Sequence, residues 1–173
     1  MVLVQHTTQE LNLGNTMSIL YSTGLITNLF GEQGVDTGAN GLRGLMKAGV
    51  IRIYSGAQPV SADAAITGTL LGSITKDGAA FTEASPTNGL TLLAPSGRAV
   101  SKSADVWKYT GVAAGTMGWF RFQANATDDD TLSTALVRID GSVGITSGDL
   151  RLTSVTSAIN SSATIDTFVI TAA

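Results

Sequence analysis

From Val50 onward the chain is a succession of short period-two runs broken by Gly, Asp, Asn and Ser, and that grammar narrows the possible folds. In Val50–Ser55, Ile51 and Ile53 alternate with Arg52 and Tyr54; in Met117–Gln123, Phe120 and Phe122 alternate with Trp119 and Arg121. Successive side chains on a strand point to opposite faces, so each run predicts a strand with one apolar face. Thr69–Thr75, Gly89–Ala94, Val106–Tyr109, Thr134–Asp140, Asp149–Val155 and Thr164–Thr171 complete the predicted strands. No helix-length periodic segment separates them, which argues against parallel strands joined by crossover helices. The expectation is a mostly β protein, an antiparallel β-sandwich or jelly roll, with a short N-terminal helix or arm. The last run breaks the alternation: Ile165, Phe168, Val169 and Ile170 cannot share one face. That predicts a strand buried on both sides, or one carrying a bulge.

Residues 1–47 follow another pattern. Ile19, Leu20, Leu25, Ile26, Leu29 and Phe30 can form one side of a short helix capped by Asn15 or Thr16. Gly24 costs such a helix about 1 kcal/mol relative to Ala. The Gly-rich stretch 31–44 reads as a loop, and Leu42–Lys47 as a second helical turn ended by Gly49. The chain therefore divides into an N-terminal arm with short helices, residues 1–47, and a β-sandwich domain, residues 48–173. Such an arm either caps its own sheet or docks on a neighbour; the sequence leaves both open.

Composition removes several function classes. There is no Cys, so disulfides, thiolate metal sites and cysteine nucleophiles are excluded. Charged residues are 13% of the chain, against roughly 25% in ordinary globular domains. A surface so poor in charge is weakly protected against association, which suits a homo-oligomer or an assembly component. The net charge is −3 and the ten basic residues are scattered, so no direct nucleic-acid binding is expected. Met1–Glu10 lacks the basic and apolar regions of a secretory signal, and no apolar run is long enough for a helical membrane span.

The search for chemistry yields no catalytic, cofactor-binding or metal-binding residues. His6 is the only histidine and lies in the arm, where nothing predicts an oriented partner. Asp128, Asp129 and Asp130 form the only acidic run. Three carboxylates can hold Ca²⁺, but these lack alternating ligand spacing, and a solvated hairpin tip fits the local grammar better. Asp140, Asp149 and Asp166 lie on or beside strands with no predicted convergence into an acid pair. Trp107, Tyr109, Trp119, Tyr54 and Phe81 raise the possibility of a sugar platform, with packing against a loop or neighbouring subunit the favoured use.

Several blocks, in order, resemble a segment recurring in phage and prophage virion proteins. They are Ile51–Ala65 (IRIYSGAQPVSADAA), Thr67–Gly72 (TGTLLG), Gly118–Phe122 (GWFRF), Ile139–Gly144 (IDGSVG), Gly148–Thr153 (GDLRLT) and the run Ile165–Thr171. The resemblance covers roughly residues 50–172. Members often begin with an amphipathic helix just before the first strand; here that region is longer and richer in Gly. The resemblance implies a small, mostly β structural component of the phage particle, with no catalytic residues to carry over. The resemblance does not separate head from tail, since both carry such β modules; the expectation adopted is a capsid decoration or cement protein, assembled in host cytoplasm and located in the virion. Its partners would be the major capsid protein, copies of itself, or both. A tail, collar or baseplate protein, contacting other tail proteins, and a host-surface glycan-binding module are the alternatives. Phe30, Leu42, Leu45, Trp107 and Trp119 are the candidate interface residues.

Overall fold

The computed structural model describes residues 19–30 and 41–171. In chain order the elements are β1 (Leu20–Tyr21), α1 (Thr23–Phe30), α2 (Gly41–Leu45), β2 (Val50–Ser55), β3 (Leu70–Lys76) and β4 (Ala99–Ser101). There follow β5 (Trp107–Gly111), β6 (Gly115–Gln123), β7 (Arg138–Gly144), β8 (Leu150–Arg151), β9 (Thr156–Ser157), β10 (Ser162–Ile165) and β11 (Val169–Thr171). The protein is mostly β and its sheets are antiparallel, apart from the parallel pair β7–β8. One large sheet runs β1-β7-β6-β2-β3-β5-β10, with β8 beside β7 and β9 beside β6; β4 and β11 form a separate pair.

The alternation of β2 and β6 sets the core. Ile51 lies opposite Phe122 and Ile53 opposite Phe120, and on the far side of β2 Ile51 faces Ile74. These side chains meet Phe168, which packs its ring against Trp107, Phe120 and Phe122 at centroid distances of 5.6–6.0 Å. Val100 of β4 and Ile170 of β11 join the same cluster, so the small sheet closes the apolar face of the large one. Burying each large apolar side chain contributes about 1.5–3 kcal/mol. Glycine makes room for two of the rings. A Cβ at Gly72 would stand 2.5 Å from the Tyr109 ring, and one at Gly141 would stand 2.6 Å from that of Phe120.

Several predicted elements are corrected. Gly89–Ala94 is not a strand; Leu90 and Leu92 make isolated bridges to Gly49 and Lys102. The predicted strand Thr134–Asp140 begins only at Arg138 and continues to Gly144. The Ser22 hydroxyl occupies the turn before it, donating to the Leu136 carbonyl and accepting from the Arg138 amide. Only Leu150–Arg151 of the predicted Asp149–Val155 is extended. The final run is two strands in different sheets: β10 pairs with β5, and β11 with β4. Its broken alternation marks the crossing between layers at Asp166-Thr167, where both residues are exposed, and neither strand is buried on both faces.

The helix start also differs. Ser22 caps α1, its buried oxygen accepting the Leu25 amide at 3.1 Å. Asp63 receives the Thr23 amide at 2.7 Å, placing a carboxylate at the positive end of the helix. Asn15, Thr16 and His6 lie outside the described residues. Within the predicted arm, residues 19–30 are tied to the β domain, because Leu20 and Tyr21 pair with Asp140 and Ile139 of β7.

Candidate functional site

Helix α1 spends little of its apolar surface on the core. Gly24 and Leu25 are buried, whereas Ile26, Leu29 and Phe30 are exposed, Phe30 at 85%. Their i, i+3, i+4 spacing places them on one helix face, as in helices that dock on a partner. That stripe forms one wall of a groove of about 760 Å³. Ile19 before β1, Tyr21 of β1 and Leu42 of α2 continue the apolar lining, which also includes Val100 and Ile170 of the small sheet. Arg98 and Asp149 are the charged residues in the lining. Burial, and then the nearby Asp149 carboxylate, push the Tyr21 hydroxyl above its ordinary value, so it remains neutral around pH 7.

The structure separates the five candidate interface residues. Phe30 and Leu42 line this groove. Leu45 is half-buried and packs against the core. Trp107 and Trp119 are each 0% exposed and are unavailable as outward contacts. Trp107 lies beneath Phe168 in the core. Trp119 stacks on Tyr54 at 4.6 Å and donates its indole N–H to the Thr67 carbonyl. Tyr109 is also buried, donating to the Leu71 carbonyl at 2.9 Å. Four of the five rings considered for a sugar platform are therefore inside, and Phe81 is half-buried. The groove residues that sequence reasoning did not assign to contact, Ile26 and Leu29, carry one signal: an apolar spacing in an eight-residue helix without a charged side chain.

The acidic run is no solvated tip. Asp128 is buried, and its two oxygens accept from Nε and Nη2 of Arg138. Asp130 accepts from Arg52 at 3.0 Å and Gln123 at 2.7 Å; Arg52 also reaches Glu83. Asp130 adopts φ 61°, a conformation that costs of order 1 kcal/mol and is offset by these bonds. Only Asp129 of the three is exposed. In register beside them lies the row Arg52, Arg121 and Asp140 across β2, β6 and β7. This second face of the sheet is covered by chain from the β2–β3 and β6–β7 connections: Arg121 donates to the Ala64 carbonyl and Arg138 to that of Thr131. Burial raises the Asp140 carboxyl against the pull of Arg121. Asp128 is also pushed up by burial, but the bonds from Arg138 and the Asp130 amide more than offset this and hold it low.

Each of these carboxylates is turned toward a cation or an amide, an arrangement that fixes loops to strands. Among the described residues, no group of three or more His, Cys, Asp or Glu is placed to hold a metal ion. No described helix is long and apolar enough to cross a membrane. Among the described residues, the α1 groove is concave, apolar and bordered by few charges. Comparisons with protein-family models, with curated proteins and with solved structures return no match to this chain.

Proposed function

We propose that this chain is a structural protein of a virus particle, a capsid decoration or cement protein held in place by burial of the α1 groove against a neighbouring subunit. The observation that carries the proposal is the exposed stripe Ile26, Leu29 and Phe30 along a groove of about 760 Å³. Exposed apolar surface of this kind marks an interaction site. Charge placement supports it: Arg121, Arg138, Asp128 and Asp140 are buried, so the outer surface is poorer in charge than the composition implies. The sequence blocks that resemble phage virion proteins supply the setting. Each copy would bury apolar surface across a seam between coat subunits, and a contact of about 1,600 Å² is sufficient for a specific interface. Many such seams together resist rupture of the shell.

Quantitative mass spectrometry of purified particles from the genome encoding this chain tests the proposal. A decoration protein is present in hundreds of copies, set by shell symmetry. A small number matching the tail axis would move the protein to the tail, collar or baseplate. Its absence from mature particles would overturn the structural reading altogether.

A further inference from the structure

Helix α1 carries three of the side chains that line the groove, Ile26, Leu29 and Phe30, so the pose of the helix sets the shape of the groove. Eight residues are too few for a helix to persist on propensity alone. Only Gly24 and Leu25 of α1 are buried, and the helix has no charged side chain with which to form an ion pair. Among the described residues, two polar anchors hold its first turn. Ser22 ties it to the chain leading into β7, its amide donating to the Arg138 carbonyl at 3.0 Å and its hydroxyl to the Leu136 carbonyl at 2.7 Å. Asp63 holds it from the β2–β3 connection, forty residues away: one carboxylate oxygen accepts the Thr23 amide at 2.7 Å and the other accepts the Thr23 hydroxyl.

Asp63 lies outside the groove lining, and its own place is fixed by bonds that owe nothing to α1. Its amide donates to the Ser61 hydroxyl at 3.1 Å, and its carbonyl accepts the Ser133 amide at 2.8 Å. On one side of it Ala62 is fully buried; on the other the Ala64 carbonyl accepts from Arg121 at 3.0 Å. Two residues further on, the Ile66 amide donates to the Asp130 carbonyl at 3.1 Å. The β2–β3 and β6–β7 connections, which cover the second face of the large sheet, thus hold this carboxylate jointly. A carboxylate on a free loop would follow the helix it binds. One fixed from behind can instead orient the helix.

We infer that Asp63 is a positioning residue for the groove: it clamps Thr23 to the covered face of the sheet and so fixes the pose of α1. The inference rests on the reading of that groove as the contact surface and adds a control point outside its lining. Loosening of the cover at Asp63 would pass to Ile26, Leu29 and Phe30 through a single side chain.

Three full-length chains test it: wild type, Asp63→Ala and Asp63→Asn. Asn keeps an oxygen for the Thr23 amide and can turn its N–H₂ toward the Thr23 hydroxyl, so it preserves the clamp without the charge. In hydrogen exchange, the α1 amides of Asp63→Ala should exchange about tenfold faster than those of wild type, the size of a lost helix cap, and those of Asp63→Asn should stay within about threefold. Wild-type exchange of α1 in Asp63→Ala, including a rise confined to Ala64 and Ile66 of the turn, overturns the inference. So does an Asp63→Asn chain that behaves as Asp63→Ala does. Binding of the same chains to particles lacking this protein separates the two levels of the account. Loss of Asp63→Ala from particles, with Asp63→Asn retained, supports both. If α1 loosens in Asp63→Ala and that chain still binds as wild type does, the positioning role stands and the reading of the groove as the contact surface fails.

Discussion

Arg121 on β6 and Asp140 on β7 are register partners joined by two hydrogen bonds of 2.8 Å, and neither side chain is exposed. A buried pair of this kind adds little net stability, because the desolvation of both ions offsets their attraction. Removing one partner is different, since it strands the other charge in the interior. Arg121→Met should therefore cost about 3–5 kcal/mol, and Arg121→Met with Asp140→Leu should recover most of that loss. Urea unfolding at pH 7 measures both. A double variant as unstable as the single one contradicts the assignment.

The two buried carboxylates respond to acid in opposite senses. Asp128 is held below its ordinary 3.8, so its contribution is complete above that value and disappears as pH falls through its lowered pKa. Asp140 is raised above 3.8 by burial, so its contribution is present below that value and is lost as pH rises through its raised pKa. As pH falls from 7 toward 3.8 stability should hold and then rise as Asp140 takes up its proton, and below that it should fall as Asp128 protonates and Arg138 loses its partner. Asp128→Asn should be less stable at pH 7 and show a shallower acid limb. Urea midpoints between pH 7 and about pH 2.5 record the slopes, and equal slopes for wild type and variant would count against this assignment.

Gly24 inverts an ordinary helix rule. Its conformational freedom would make Ala the better residue by about 1 kcal/mol. A Cβ there, however, would stand 2.3 Å from the Ala135 carbonyl oxygen, a backbone atom of the chain packed against α1. Gly24→Ala should be destabilising by about 1–3 kcal/mol. Thermal unfolding is the check, and a raised midpoint would show that α1 does not pack this closely.

Much of the large sheet was legible in the sequence, because Ile51 and Ile53 of β2, Trp107 and Tyr109 of β5, and Phe120 and Phe122 of β6 are each spaced by two and all lie in the core. The opposite face was not. Arg52, Tyr54, Trp119 and Arg121 read as outward-facing because local periodicity reports that two faces differ without saying what covers the second. Chain distant in sequence supplies that cover, through contacts such as Arg121 to Ala64 and Trp119 to Thr67. For the same reason Trp107 and Trp119 resembled surface anchors, and the acidic run resembled a solvated turn. Phe30 and Leu42, named as contact candidates, line the groove, and Leu42 also packs against the core. The groove itself arises where α1 and α2 meet β11, over one hundred residues later, and a local pattern carries no trace of that meeting.

The most direct measurement of the central claim is the copy number of this chain in purified particles, compared between wild type and Phe30→Asp. Phe30 is 85% exposed, so the substitution should leave the monomer's stability within about 0.5 kcal/mol. The account predicts a folded variant missing from the particles, with wild type present at shell stoichiometry. A folded Phe30→Asp chain retained at the wild-type level would contradict it.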